Sequence, residues 1–328
     1  MLSKKNELAP GMAIFSISSS WAENVSKSVE VIHSYYDVES GENFTPHTDE
    51  VTLRREVLGA SSALADLEGG IKDLMSRKYC GIVIDNLGIR GDEHRNSVLY
   101  SIALALGYPT PTDRESLILW DVKSRQGLAQ DYQATFSEKT VSAELHTDSS
   151  FYERPEEAFF LYVANAAKCG GGRSLMLSAR EIADALLETP RGRDCFSTLS
   201  KAIFPFETPM AFSSSSGNQP LEITVASIFG DKPYFRFRYD LIKKGFAARP
   251  DLATAEALEA IDMLLNVIEN KVKIVDHWFS DDNLIIANNH MNLHGRTKFS
   301  DQNRHLIRAR ISDVPVAKLG RNASLSND

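Results

Sequence analysis

The sequence predicts a mainly β protein, an antiparallel β core with helical flanks. Helical and mixed elements come first, then many short strand-like runs with one long helix inserted among them. The regular strand–helix alternation of a doubly wound parallel sheet does not appear. No linker-like stretch divides the 328 residues, so one domain is expected. Its parts are a partly helical flank over 1–79, a core over 80–312 with inserted helices and lid loops, and a tail over 313–328.

Residues 1–48 are polar and mixed, and no element can be assigned there. From Asp49 to about Lys78, apolar residues such as Leu53, Val57, Leu64, Leu67 and Ile71 recur at helical spacing. Gly69-Gly70 should split this stretch in two. Thr48 or Asp49, after Pro46, should cap its start, which gives His47-Thr-Asp49 a helix-start explanation. Cys80–Asp85 reads as a buried strand. Asp92–Leu106 reads as a helix with Val98, Leu99, Ile102, Ala105 and Leu106 on one face. Leu117–Trp120 reads as a strand. Residues 123–142 are polar and unpatterned, as expected of a loop with a functional role. Ala158–Val163 and Ser174–Ser178 are strand-like, with a turn at Gly170–Gly172 between them, and Ser178 should cap a helix through Leu187. Residues 207–220 form a second loop. Leu221–Phe229 and Tyr234–Tyr239 look like a hairpin around Gly230-Asp231. Leu252–Asn270 is an amphipathic helix. Val272–Trp278, Asn283–Ala287 and His305–Ile311 complete the strands.

Composition excludes several classes. The formal net charge of -8 and the shortness of clusters such as Arg54-Arg55 and Lys243-Lys244 argue against nucleic acid as a partner. Three widely spaced cysteines, Cys80, Cys169 and Cys195, point to free thiols in a reducing compartment. No run has transmembrane length and the N-terminus lacks a long apolar core, so a cytoplasmic location without membrane partners is expected.

The chemistry centres on Ala143-Glu-Leu-His146-Thr-Asp148. In an extended strand, His146 and Asp148 would point together and Thr147 away. They make two-thirds of a site with two histidines and one carboxylate. His290 and His294 follow the apolar strand ending at Ala287. Asn288, Asn289, Asn292 and Gly295 argue against a helix there, so strand and then loop is the reading. One of the two histidines completes the triad and the other is structural. Arg304, Leu306, Arg308 and Arg310 would share one face of the last strand. Those arginines either solvate an edge strand or recognise carboxylates. Gly170-Gly-Gly-Arg-Ser174 lacks dinucleotide-binding spacing. It either makes a hairpin turn or sets the Ser174 hydroxyl beside an anion.

Together these residues resemble the taurine dioxygenase / clavaminate synthase-like superfamily of iron(II)- and 2-oxoglutarate-dependent oxygenases, from about Cys80 to Ile311. The pieces, in family order, are His146-Thr-Asp148, Gly171-Gly-Arg-Ser174, Leu284–Asn289, Leu293-His-Gly-Arg-Thr-Lys-Phe299 and Arg304-His-Leu-Ile-Arg308. The departures are Asn288 for a common aspartate, Asp282-Asn283 for Gly-Asp, and Ser174 for threonine. The resemblance implies a double-stranded β-helix (jelly-roll, cupin-like) core. It implies His146, Asp148 and His294 as iron ligands, since Gly295-Arg-Thr297 fixes the register on His294. Arg304, helped by Ser174, would hold the distal carboxylate of 2-oxoglutarate, with Arg308 near substrate or co-substrate. Asp240 stands where amino-acid oxidases of this branch often keep an acidic residue for the substrate's basic end. A turn aspartate is the plainer reading of that position.

The implied reaction consumes O2 and 2-oxoglutarate, releases succinate and CO2, and hydroxylates an aliphatic C–H. The expected substrate is a small carboxylate-bearing molecule, an amino acid or derivative. A sulfonate, an aryloxy acid or a carrier-tethered amino acid are alternatives, as are desaturation and cyclisation. A zinc hydrolase using His290 and His294 would lack a general-base glutamate between them. A metal-binding β-barrel module would have no need of the carboxylate-binding residues.

Overall fold

The structure, a computed structural model, describes residues 2–36, 44–91, 94–111, 116–125, 136–210, 212 and 222–319. β1 (Ser3–Ala9) and β2 (Met12–Ser16) pair as a hairpin across Gly11, whose φ of +76° suits glycine. The helices α1 (Trp21–Asn24), α2 (Ser26–Tyr35), α3 (Glu50–Ala60) and α4 (Ser62–Arg77) follow. Next come β3 (Gly81–Asp85), α5 (Arg95–Leu106), β4 (Tyr108–Thr110) and β5 (Trp120–Lys123). β6 (Ala143–His146), β7 (Ala158–Asn165) and β8 (Ser174–Ser178) lead into α6 (Ala179–Leu187) and α7 (Pro190–Lys201). β9 (Phe204–Glu207), β10 (Ile223–Ala226), α8 (Tyr239–Ala248) and α9 (Ala255–Asn270) precede β11 (Val275–His277), β12 (Leu284–Asn288), β13 (Asn292–Arg296) and β14 (His305–Ser312).

The strands form two principal sheets. One runs β1-β2-β3-β12-β7-β14-β4, with β5 also on β14, and the other runs β11-β8-β13-β6. β9 and β10 make a separate pair. Among the described residues only β2 and β3 pair in parallel. Strand alternation sorts the side chains into three layers. Ile82, Phe160, Ile286, Ile307 and Ala309 pack on the helices α2–α5. Leu177 and Leu293 of the smaller sheet pack on α6–α9. Between the sheets lie Val83, Phe159, Ile285, Leu306 and Met176. This is the antiparallel β core with helical flanks that the sequence predicts and the jelly roll that the resemblance implies, and the functional side chains share its inner layer.

Several local expectations are corrected. The N-terminal stretch holds an added hairpin: β1 is almost wholly exposed, so no amphipathic pattern marks it. The helical stretch breaks at Ser61, whose hydroxyl accepts from Leu64 N, and α4 runs through Gly69-Gly70. α5 is buried from Ser97 to Ala105 and shows no solvent face, because it lies between the other helices and the large sheet. The strand expected at Leu117–Trp120 is displaced to β5. Among the described residues, only an isolated bridge, Phe229–Phe235, remains of the expected hairpin. β10 pairs with β9 instead, and Tyr239 opens α8. Asp49 does cap α3, accepting from Thr52 N at 3.1 Å. Most of the expected loops over 123–142 and 207–220 lies outside the described residues. No described helix is long and apolar enough to cross a membrane.

Candidate metal centre

β13 carries the second histidine in a strand, correcting the loop reading. Its central position between β6 and β8 explains why Asn292 and Gly295 are tolerated there: tertiary pairing overrides propensity. In that ladder His294 stands directly opposite His146. The two rings lie 4.4 Å apart, and Phe159 packs on the His294 ring at 4.4 Å. Asp148 follows β6, with Thr147 turned away to bond Phe237 through backbone and hydroxyl.

His146 Nε2 and His294 Nε2 each lie 3.7 Å from Asp148 Oδ1. All three donor atoms fall within 4.8 Å of one another. His146 Nδ1 is 2.7 Å from Glu144 O, a contact that places the proton on Nδ1 and leaves Nε2 as the free lone pair. Cis donors on an octahedral ion lie about 3 Å apart at bond lengths of about 2.1 Å, so a small contraction would seat one. Two imidazoles and one carboxylate suit iron(II) and leave three positions open.

The electrostatics agree with such a donor set. Burial alone would push the Asp148 carboxyl up, but the charges of Arg308 and Arg310 overcome it and hold the group well below the usual carboxylate range. Burial, with His146 beside it, pushes the His294 imidazole down to about 3, so it stays neutral and able to ligate. Asn289 fixes the ligand loop: its Oδ1 accepts from Asp148 N at 2.8 Å and its Nδ2 donates to Asp148 O and Glu156 O. Arg236, 3% exposed, donates to Ser150 O, Tyr152 O and Glu153 O in the same loop.

The last strand is interior. β14 pairs with β7 on one side and with β4 and β5 on the other, so the solvated-edge reading of its arginines fails. Arg308 Nη1 lies 3.4 Å from Asp148 Oδ2, and Arg310 Nε donates to the same oxygen at 3.1 Å. Arg304 precedes the strand, 4% exposed, with its guanidinium over the Phe299 ring and its Nη1 without a protein partner. Burial and the Arg296 charge push it down to about 9, so it is cationic at neutral pH. Arg308 Nε is likewise unpartnered. Buried, orphaned guanidinium donors are costly unless an anion completes them, and a dicarboxylate co-substrate and a carboxylate substrate fit that need.

Ser174 opens β8 opposite Arg296, on the strand face that turns Met176 inward. Asp240 sits in the first turn of α8, paired with Arg238 at 3.1 Å. His290 bonds Pro155 O and is separate from the triad, as a structural histidine, which removes the His290–His294 zinc pair. Sequence reasoning missed Arg236 and the Arg310 contact. Asn289 was visible only as part of a motif, because a side chain's partner in a distant loop leaves no periodic trace.

A jelly roll whose inner layer gathers two imidazoles, one carboxylate and guanidinium groups with unpartnered donors is the architecture of a metal-dependent oxygenase. The chain belongs to the taurine catabolism dioxygenase TauD, TfdA family, whose profile matches residues 45–310. Among solved structures it is similar to an asparagine oxygenase in complex with Fe(II), (2S,3S)-3-hydroxyasparagine and succinate, with 19% identity, 92% of this chain and 93% of that chain covered, and a TM-score of 0.68. It is also similar to the non-haem iron oxygenase OrfP in complex with Fe and α-ketoglutaric acid, with 14% identity, 92% and 94% covered, and a TM-score of 0.62. OrfP with Fe, succinate and (3S)-hydroxy-L-Arg gives 14% identity, 92% and 94% covered, and a TM-score of 0.64. No curated protein sequence matches the chain.

Proposed function

We propose that the protein is an iron(II)- and 2-oxoglutarate-dependent dioxygenase that hydroxylates an aliphatic C–H of an amino acid or a related small carboxylate. The convergence of His146 Nε2, His294 Nε2 and Asp148 Oδ1 is the observation that carries this reading. Those atoms would hold the metal. Arg304, with Ser174, would hold the distal carboxylate of 2-oxoglutarate, and Arg308 Nε would receive the substrate carboxylate. When bound, iron(II) supplies oxygen activation coupled to decarboxylation of 2-oxoglutarate to succinate and CO2.

This chain's residues bind and orient. The Asp148 carboxylate stays ionised beside its two arginines, and the buried His294 stays neutral. Phe159 and Leu306 line the inner layer with apolar surface, limiting water beside the reacting centre. Asp240 would take the substrate's basic end, held there by Arg238, whose charge acts on Arg308. The hydroxylated amino acids bound in the similar structures favour this substrate class. The taurine in the family's name favours a second reading, the same chemistry on a sulfonate; an aryloxy acid is a further alternative. We read residues 1–328 as one catalytic unit, because the β1–β2 hairpin extends the core's own sheet. A cytoplasmic location suits its three free thiols.

The test is a succinate-release screen across amino acids, sulfonates and aryloxy acids with iron(II), ascorbate and 2-oxoglutarate. An amino acid whose oxidation matches succinate mole for mole is expected. Coupling to a sulfonate alone would select the second reading, and coupling to an aryloxy acid alone the further alternative. Asp240→Asn should weaken substrate binding and leave substrate-free 2-oxoglutarate turnover intact; unchanged affinity would remove Asp240 from the site.

A further inference from the structure

The last strand offers one more arginine than the proposed reaction uses. Arg304 and Arg308 have donors free for ligands, but Arg310 spends its Nε on Asp148 Oδ2 at 3.1 Å. The two oxygens of Asp148 therefore differ. Oδ1 faces both imidazoles, 3.7 Å from each Nε2, while Oδ2 is turned to the arginines. Arg310 is itself fixed. It is 4% exposed, β14 pairs it with Thr110 of β4 and Phe159 of β7, and the Phe212 ring lies 5.7 Å from its guanidinium carbon. Buried Glu156, which accepts from Thr110 Oγ1 at 3.0 Å, adds a favourable charge beside it.

We infer that Arg310 is a positioning residue that preorganises Asp148 to bind metal through Oδ1. A free carboxylate can turn away from the imidazoles. An Nε–H bond to Oδ2 from a residue locked in a central strand removes that freedom and stabilises the carboxylate rotamer before metal arrives. Arg304 serves ligands, Arg308 offers its Nε to a ligand while its Nη1 lies 3.4 Å from Asp148 Oδ2, and Arg310 gives that oxygen its direct hydrogen bond.

The inference rests on the proposed metal site, and a double-mutant cycle separates the two. Ni(II) affinity is measured by titration of the full chain, because two imidazoles alone still hold this ion. Four proteins are compared: the parent, Arg310→Met, Asp148→Ala and the double variant, with thermal melting to establish folding. Arg310→Met should weaken Ni(II) binding about ten- to a hundredfold in the parent background. In the Asp148→Ala background the same change should cause no loss, or a gain, since only a repelling cation is removed. Equal losses in both backgrounds would make Arg310 merely structural and overturn the inference, as would no loss in the parent. If Arg310→Met does not fold, Arg310→Lys replaces it in the cycle. A smaller loss confined to the parent background supports the inference, and any other pattern overturns it. A parent that binds no Ni(II) refutes the metal site itself.

Discussion

Gly172→Ala is a small change with a specific expected consequence. Gly172 sits at φ +72°, and a Cβ there would lie 2.9 Å from Arg304 Nε, 3.0 Å from Arg304 Cδ and 3.1 Å from Ala167 Cβ. Holding alanine in the left-handed region costs about 1–2 kcal/mol, which sets the expected loss of stability. The closest clash falls on the guanidinium proposed to hold the co-substrate, so Arg304 must retreat. One charge-assisted hydrogen bond lost from a carboxylate costs about 1.5–3 kcal/mol, or roughly ten- to a hundredfold in affinity. The assay is the 2-oxoglutarate KM, read beside the metal affinity and the melting temperature. A raised KM with unchanged metal affinity is expected. Gly171→Ala is the control, since its Cβ would meet Lys298 O at 2.3 Å. That is a backbone clash and should lower stability more than Gly172→Ala does. A folded Gly172→Ala protein with the parent's KM would refute the placement of Arg304.

Two further perturbations test how the fold supports the site. Glu50 is 5% exposed; one carboxylate oxygen accepts from Val316 N, the other has no partner, and burial pushes the group from 4.5 up to about 7. Because the folded protein holds this proton more tightly, stability should fall as pH rises from 4.5 to about 7, by roughly 3 kcal/mol at about 1.4 kcal/mol per pH unit. Glu50→Gln should remove that slope; identical melting-temperature profiles for parent and variant between pH 5 and 8 would contradict it. Arg236→Met leaves one buried and two partly buried loop carbonyls without their donor, so unfolding in urea should show a loss of about 2 kcal/mol or more. A loss under about 0.5 kcal/mol would mean that Arg236 does not hold the ligand loop.

Much of this was legible where a residue pattern and its environment agree. β7 (Ala158–Asn165), β8 (Ser174–Ser178) and β12 (Leu284–Asn288) are strands largely buried on both faces, and their apolar runs announce it. Ser178 and Asp49 cap helices by local hydrogen bonds that the sequence itself contains. His146 and Asp148 point together with Thr147 turned away, as the two-residue spacing suggests, and His294 joins them because β13 pairs with β6 in register. Illegible features depended on partners far along the chain. The polar β1 becomes a strand because β2 carries it onto the core sheet. Gly69-Gly70 stays helical within a helix anchored by buried Leu64, Leu67 and Ile71. The helix near Tyr239 hides behind an aromatic, strand-like sequence. Arg310 was on the expected face, but its service to Asp148 required knowing that the strand is central.

The most direct test of the central claim is spectroscopic. Purified protein mixed anaerobically with iron(II) and then 2-oxoglutarate should develop a weak visible metal-to-ligand charge-transfer band. His146→Ala, His294→Ala and Asp148→Ala should each diminish or abolish it. Absence of the band in folded parent protein that has bound iron, or its full persistence in all three variants, would contradict the account.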